Sequence, residues 1–117
     1  MNITSSIVKN LYATIYCAYP FTRWKMPLPD EIKFEIIDDP TAYGYYHYDE
    51  GEKYAHKIQI SRSLCGHFIT LLRTLCHESV HMSRWADSRE RWSHHDKVFK
   101  FRCKAVADEF GLDPLEL

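Results

Sequence analysis

The sequence predicts an α+β fold in which an N-terminal helix precedes three short strands and two further helices follow. In three segments apolar residues recur every three or four positions, and between the first two segments they alternate with polar residues. The chain has 117 residues, of which 45% are hydrophobic and 26% charged, as is typical of a globular domain. We therefore expect a single domain over residues 1–117.

The N-terminal half is predicted to hold one helix and a small sheet. The helical pattern starts at Ile3 and must end before Pro20, since proline interrupts a helix. Short alternating segments at 32–37, 43–48 and 57–61 are typical of strands. We expect them to form a three-stranded antiparallel sheet.

The C-terminal half is predicted to be helical. An apolar stripe runs from residue 68 to about 83, and a second one runs from about His95 to Phe110. Between them, residues 84–93 are polar and charged and contain two tryptophans, which favours an ordered loop. Gly111 is suited to end the last helix.

Net charge, cysteine spacing and the length of the apolar stretches indicate where the protein works and which partners it has. The formal net charge is −1, so the chain as a whole lacks the basic character of a nucleic-acid-binding protein. Four cysteines stand far apart with no Cys-x-x-Cys pair, which indicates free, mostly buried thiols in a reducing compartment. The apolar stretches are too short to span a membrane. We expect a cytoplasmic monomer with no membrane partner.

The second helix contains the motif His-Glu-x-x-His at residues 77–81. Residues four apart on a helix differ by only about 40° in direction, so His77 and His81 face the same side and can hold one small cation. Glu78 lies beside that cation, where its carboxylate can take a proton from an attacking water. The alternative is a pair of hydrogen-bonded surface histidines. The strongly apolar helix favours the metal, because burying three such side chains without a partner is costly.

A catalytic zinc site needs a third protein ligand. His95 is the preferred candidate, because it shares the apolar face of the last helix, which should pack against the motif helix. His94 is next to it and points elsewhere. Asp87 has the spacing of a third ligand but requires a glycine turn where this chain carries arginine, and Glu90 or Glu109 would be distant carboxylate ligands.

Four segments together resemble the SprT-like (Spartan-type) zincin metallopeptidase domain, over about residues 5–114. These segments are residues 58–61, 74–81, 95–100 and 110–114. The resemblance implies a zincin-like fold, one catalytic Zn²⁺ bound by His77, His81 and His95, and Glu78 as catalytic acid/base. It also implies a protein or peptide substrate.

The chain departs from the family in two ways. Asp96 stands where the family usually has glycine, and no cysteine-rich zinc ribbon follows the last helix. The chain thus resembles the minimal core form found in phage and mobile elements. A zinc-containing binding module that engages a host factor or nucleoprotein without cleaving it is the alternative function.

Two surface features leave further alternatives open. Residues 62–104 carry nine Lys/Arg against four Asp/Glu, which indicates either solvated helix faces or a contact to nucleic acid. The contact would recruit DNA-associated substrates. Its candidates are Arg84, Arg89, Arg91, Lys97, Lys100, Arg102 and Lys104.

The aromatic residues offer similar choices. Tyr43–Tyr48 would either line a substrate cleft or pack on the sheet. Trp85 and Trp92 would either stack on bases or cap the core.

Overall fold

The computed structural model describes residues 1–85 and 92–117. The element order is the predicted one, a helix followed by three strands and two helices, so the α+β class is confirmed. The elements are α1 (Ser5–Ile15), β1 (Ile32–Ile37), β2 (Gly44–Tyr48), β3 (His56–Ser61), α2 (Phe68–Trp85) and α3 (Lys97–Phe110). Two short 3₁₀ turns, Phe21–Arg23 and Pro29–Glu31, connect α1 to β1.

The sheet is mixed, and the predicted antiparallel sheet is wrong. Its strand order is β1-β3-β2, with β2 antiparallel and β1 parallel to β3. The chain leaves β1 and crosses the carboxyl end of β3 before it returns as β2. Three hydrogen bonds stabilise this crossing. They join Arg62 N–H to Ile37 O (2.9 Å), Ser61 N–H to Tyr43 O (2.8 Å) and Ser61 Oγ to Asp39 O (2.5 Å). The alternating pattern is the same for both strand directions, so it could not reveal this insertion of β3.

The core lies between the sheet and the helices. α1 packs on β1, α2 packs on β2 and β3, and the two helices also contact each other, so both cover the same face of the sheet. α3 packs on α2. The fully buried side chains include Val8, Tyr12, Ile58, Ile60, Leu71, Leu75, Val80 and Val106.

The ends of α2 and α3 differ from prediction by one helical turn or less. α2 continues through Arg84 to Trp85, so these two residues are not in a loop. α3 begins at Lys97, and Asp96 is its N-cap, whose side chain accepts a bond from the Phe99 N–H. Gly111 ends α3 with φ +73°, as its missing Cβ allows.

Across residues 1–85 and 92–117, no helix combines the length and the apolar character needed to cross a membrane.

Candidate metal centre

Three imidazoles converge between α2 and the start of α3. His77 and His81 lie one turn apart on α2, and His95 stands two residues before α3. One nitrogen from each ring lies within 4.8 Å of the others, and the Nε2 atoms of His81 and His95 are 3.0 Å apart. Two nitrogens bound tetrahedrally to zinc at about 2.0–2.1 Å would be about 3.3 Å apart. The three histidines could therefore hold a metal ion.

Phe99 forms the floor of this centre, a role that sequence reasoning missed. Its ring stacks on the His95 ring at 4.3 Å and 4°, and on the His81 ring at 4.3 Å and 26°. The His77 ring meets it edge-on at 5.2 Å. Since Phe99 is buried, it fixes the orientation of the three imidazoles around one point. The only sequence signal was its spacing of four from His95, which placed both on one helix face.

The tautomer of His81 suits a metal ligand. Its Nδ1 lies 2.8 Å from the Trp92 carbonyl oxygen, which can only accept, so Nδ1 carries the proton and Nε2 offers its lone pair. Burial is the main cause that lowers the pKa of His81 to about 4, and burial also lowers the pKa of His77. Both rings are therefore neutral at pH 7, as metal ligands must be.

Glu78 follows the first histidine and is buried, with 6% of its surface exposed. Burial raises the pKa of its carboxyl to about 8. The side chain nevertheless lines a cleft of about 540 Å³ together with His77. Glu78 therefore lines the same cleft as one of the three histidines, and its role as acid/base stays a prediction.

The cleft lies between α2, the beginning of β2 and residues 116–117. Its walls are formed by Ala42, Tyr43, Gly44, Arg73, Thr74, His77, Glu78, Glu116 and Leu117. Gly44 lets β2 approach α2 closely. A Cβ at this position would lie 2.7 Å from the Gln59 backbone oxygen and 2.9 Å from Thr74 Cγ2, distances that real Cβ atoms do not adopt.

A buried ion pair joins the two elements that carry the histidines. Arg84 Nη2, at the end of α2, lies 2.6 Å from Asp96 Oδ2, and the two side chains are 6% and 29% exposed. The other oxygen of Asp96 accepts the Phe99 N–H at 3.0 Å. Asp96 therefore caps α3 and ties it to α2, next to His95. Both residues were noted in the sequence, one as replacing a family glycine and one as lacking a glycine turn, but not as a pair.

The other candidate ligands lie apart from the cluster or cannot be placed. His94 is exposed, and so is Glu109 on α3, and neither joins the three-histidine group. Asp87 and Glu90 fall in residues 86–91, outside the described part of the chain. Cys76 is fully buried, as expected of a core residue.

Most of the aromatic residues flanking the site pack inward. Tyr46 is buried, and its hydroxyl lies 2.7 Å from His56 Nδ1. Trp85 contacts the rings of His56 and Tyr48, and Trp92 meets Tyr46 edge-on at 5.1 Å. Both tryptophans thus cap the core.

Two further tyrosines of β2 and its approach have other surroundings. Tyr43 is 51% exposed and lines the cleft. The Tyr45 hydroxyl donates to Asp39 Oδ2 at 2.7 Å.

Three of the five described candidates for a nucleic-acid contact interact with other residues of the protein. Arg84 pairs with Asp96, and Lys104 pairs with an aspartate one turn further along α3. Arg102 donates to Ser83 Oγ and lies over the Trp24 ring. Lys97 and Lys100 are exposed on α3. Arg89 and Arg91 lie outside the described residues. A nucleic-acid contact through this segment stays a prediction.

Comparison with curated proteins and with solved structures finds no match to this chain. The model of one protein family, the SprT-like family, matches residues 24–115. The match covers all three strands, the histidine cluster and α3. This family is generally linked to metallopeptidase-like proteins and is usually associated with zinc. The chain belongs to the SprT-like family.

Proposed function

We propose that this protein is a zinc-dependent metallopeptidase that hydrolyses peptide bonds of protein substrates in the cytoplasm. The observation that carries the proposal is the convergence of three histidines, one of which, His77, lines the same cleft as the buried carboxyl of Glu78. Family membership supports it, since SprT-like domains are metallopeptidase-like.

Each of these side chains has a role in the proposed reaction. His77, His81 and His95 hold the ion, and Phe99 and the Trp92 carbonyl orient their rings. Bound zinc supplies a Lewis acid that polarises the scissile carbonyl and acidifies the attacking water. The neighbouring cation would favour the ionised form of Glu78 against the effect of burial, and the carboxylate oxygen accepts a proton from that water and then delivers it to the leaving amine nitrogen.

The substrate is proposed to bind as an extended peptide along β2. Among the described strands, β2 pairs only with β3, so its outer edge is available for backbone hydrogen bonds. β2 begins at the cleft with Gly44, and the exposed ring of Tyr43 forms a side wall there. An added strand would bring the peptide backbone past Glu78.

A single substitution tests the proposal. Glu78→Gln should bind zinc at the stoichiometry of the unaltered protein, because Glu78 is not a ligand, and should lose cleavage of an unfolded protein such as casein. Removing a general base lowers the rate by about 10²–10⁴-fold. Glu109→Gln, an exposed glutamate on α3, is the matched control and should cleave normally.

The same measurements separate the alternatives. Cleavage by Glu78→Gln at the unaltered rate would contradict the role of Glu78. If the unaltered protein binds zinc at full stoichiometry but cleaves neither unfolded nor DNA-bound proteins, the non-catalytic binding module is favoured instead.

A further inference from the structure

Residues 116–117 of the chain occupy the cleft that holds Glu78. Arg73 Nη1 lies 2.6 Å from Glu116 Oε2, and the next residue, Leu117, lines the same cleft as His77. The Leu117 side chain is half-buried and packs against the core. Two consecutive residues therefore line the cleft along one turn of α2, from Arg73 to His77.

Hydrogen bonds in the turn at residues 113–116 hold residues 116–117 in the cleft. After Gly111 ends α3, the Leu115 N–H bonds to Asp113 Oδ1 and the Glu116 N–H bonds to the Asp113 carbonyl, each at 3.0 Å. The turn at 113–116 directs Glu116 back towards α2, while Leu115 stays exposed. The segment thus presents an acidic residue and then an apolar residue to the cleft.

Arg73 gives the cleft a charge preference. It lies one helical turn before His77, so both side chains emerge on the same face of α2. Its side chain is 24% exposed, and it is the one arginine or lysine among the described residues that line the cleft. A guanidinium in this position favours a carboxylate through charge-assisted hydrogen bonds.

We propose that Arg73 is a specificity-determining residue that selects peptide substrates with an acidic residue followed by an apolar one. Glu116 and Leu117 occupy the positions that these two substrate residues take. Residues 116–117 compete with the substrate for this position. The inference deepens the proposed peptidase function and rests on it for the identity of the ligand.

Peptide binding tests the inference without requiring cleavage. The probes are three fluorescein-labelled hexapeptides that differ at one position and carry Glu-Leu, Gln-Leu or Lys-Leu at the centre. Their anisotropy is measured with full-length zinc-loaded Glu78→Gln protein. The Glu-Leu peptide should bind about fivefold more tightly than the Gln-Leu peptide, as expected for a partly exposed ion pair. The Lys-Leu peptide should bind most weakly.

Two substitutions, made in the same Glu78→Gln protein, locate the effect. Arg73→Glu should reverse the preference, so that the Lys-Leu peptide binds more tightly than the Glu-Leu peptide. Arg23→Glu, at an exposed arginine that does not line the cleft, is its matched control and should keep the original order. Glu116→Gln removes the internal competitor and should tighten binding of the Glu-Leu peptide about fivefold. Glu109→Gln should not.

The outcomes distinguish this inference from the proposed function. Circular dichroism confirms that each variant is folded, and Arg73→Gln, which should abolish the preference, replaces Arg73→Glu if the latter unfolds. Equal binding of the three peptides, an unchanged order in the Arg73 variants, or no binding even after Glu116→Gln would overturn the inference. A charge preference that follows Arg73 in a protein without peptidase activity would support it and refute the proposed hydrolysis alone.

Discussion

Replacing Asp96 by asparagine should weaken metal binding although it removes none of the three histidines. Asparagine still accepts the Phe99 N–H as an N-cap, so α3 keeps its start. It loses the charge that pairs with Arg84 at 2.6 Å across the α2–α3 junction. The segment that carries His95 would then be held to α2 by one contact fewer.

The magnitude follows from the burial of the pair. Removing one partner from a fully buried ion pair costs about 3–5 kcal/mol. Because the Asp96 side chain is 29% exposed, solvent screens it, and we expect Asp96→Asn to lower the free energy of unfolding by about 2 kcal/mol. Asp96→Ala also removes the helix cap, which adds about 1 kcal/mol. Residues that support metal ligands change metal affinity by about 10–100-fold, so zinc affinity should fall at least about tenfold.

Two measurements separate stability from positioning. Urea unfolding of the zinc-free protein gives the change in unfolding free energy, and competition with a chromophoric chelator gives the zinc dissociation constant. Asp108→Asn is the control, because Asp108 pairs with Lys104 on the same helix at an exposed site. Asp108→Asn should lower the free energy of unfolding by less than about 0.5 kcal/mol and leave zinc affinity unchanged. If Asp96→Asn binds zinc as tightly as Asp108→Asn, the ion pair does not position His95 and the reasoning is refuted.

Two further predictions concern the third ligand and the close approach of β2 to α2. His95→Ala should lose stoichiometric zinc and cleavage, whereas His94→Ala should keep most of both, as measured by elemental analysis and a casein assay. If His95→Ala retains zinc, a residue other than His95 is the third ligand. Gly44→Ala should lower the free energy of unfolding by about 2 kcal/mol, because its Cβ would meet the β3 backbone at 2.7 Å. Gly66→Ala, whose Cβ meets nothing within 4 Å, should change stability by less than about 0.5 kcal/mol in the same urea titration; equal effects would contradict the steric argument.

Local periodicity was enough to predict which segments are helices and which are strands. The strands, α2 and α3 recur in the structure within about two residues of prediction, because each buries one face and its apolar spacing records that face, whereas α1 ends at Ile15, several residues before Pro20. The pairing of the strands was not predictable in the same way. β1 lies beside β3 rather than β2, and this choice depends on the crossing at residues 38–43, not on the pattern within any strand.

The candidate site was predictable where its members are close in sequence. The spacing of His77 and His81 on one helix, and of His95 and Phe99 on the next, anticipates the convergence of the three imidazoles. Their role as zinc ligands and that of Glu78 as acid/base stay predictions.

The contacts that surround the metal centre could not be predicted from the spacing of residues along the sequence. Arg84 looked like a solvated loop residue, but its burial depends on the position of Asp96 twelve residues later. The contact of Arg73 with Glu116 spans 43 residues, and the sequence carries no local signal for it.

Because β3 lies between β1 and β2, the two outer strands pair with it across loops of different length. Tyr48 pairs with His56, eight residues away, whereas Ile32 pairs with the same residue across 24 residues. The entropic cost of closing the loop is therefore about 1 kcal/mol greater when β1 pairs with β3 than when β2 pairs with β3. α1 packs against β1, with the rings of Tyr12 and Phe34 5.6 Å apart, and it lies before the residues that the family match covers. A helix outside the matched region thus offsets the entropy of closing the longest loop in the sheet.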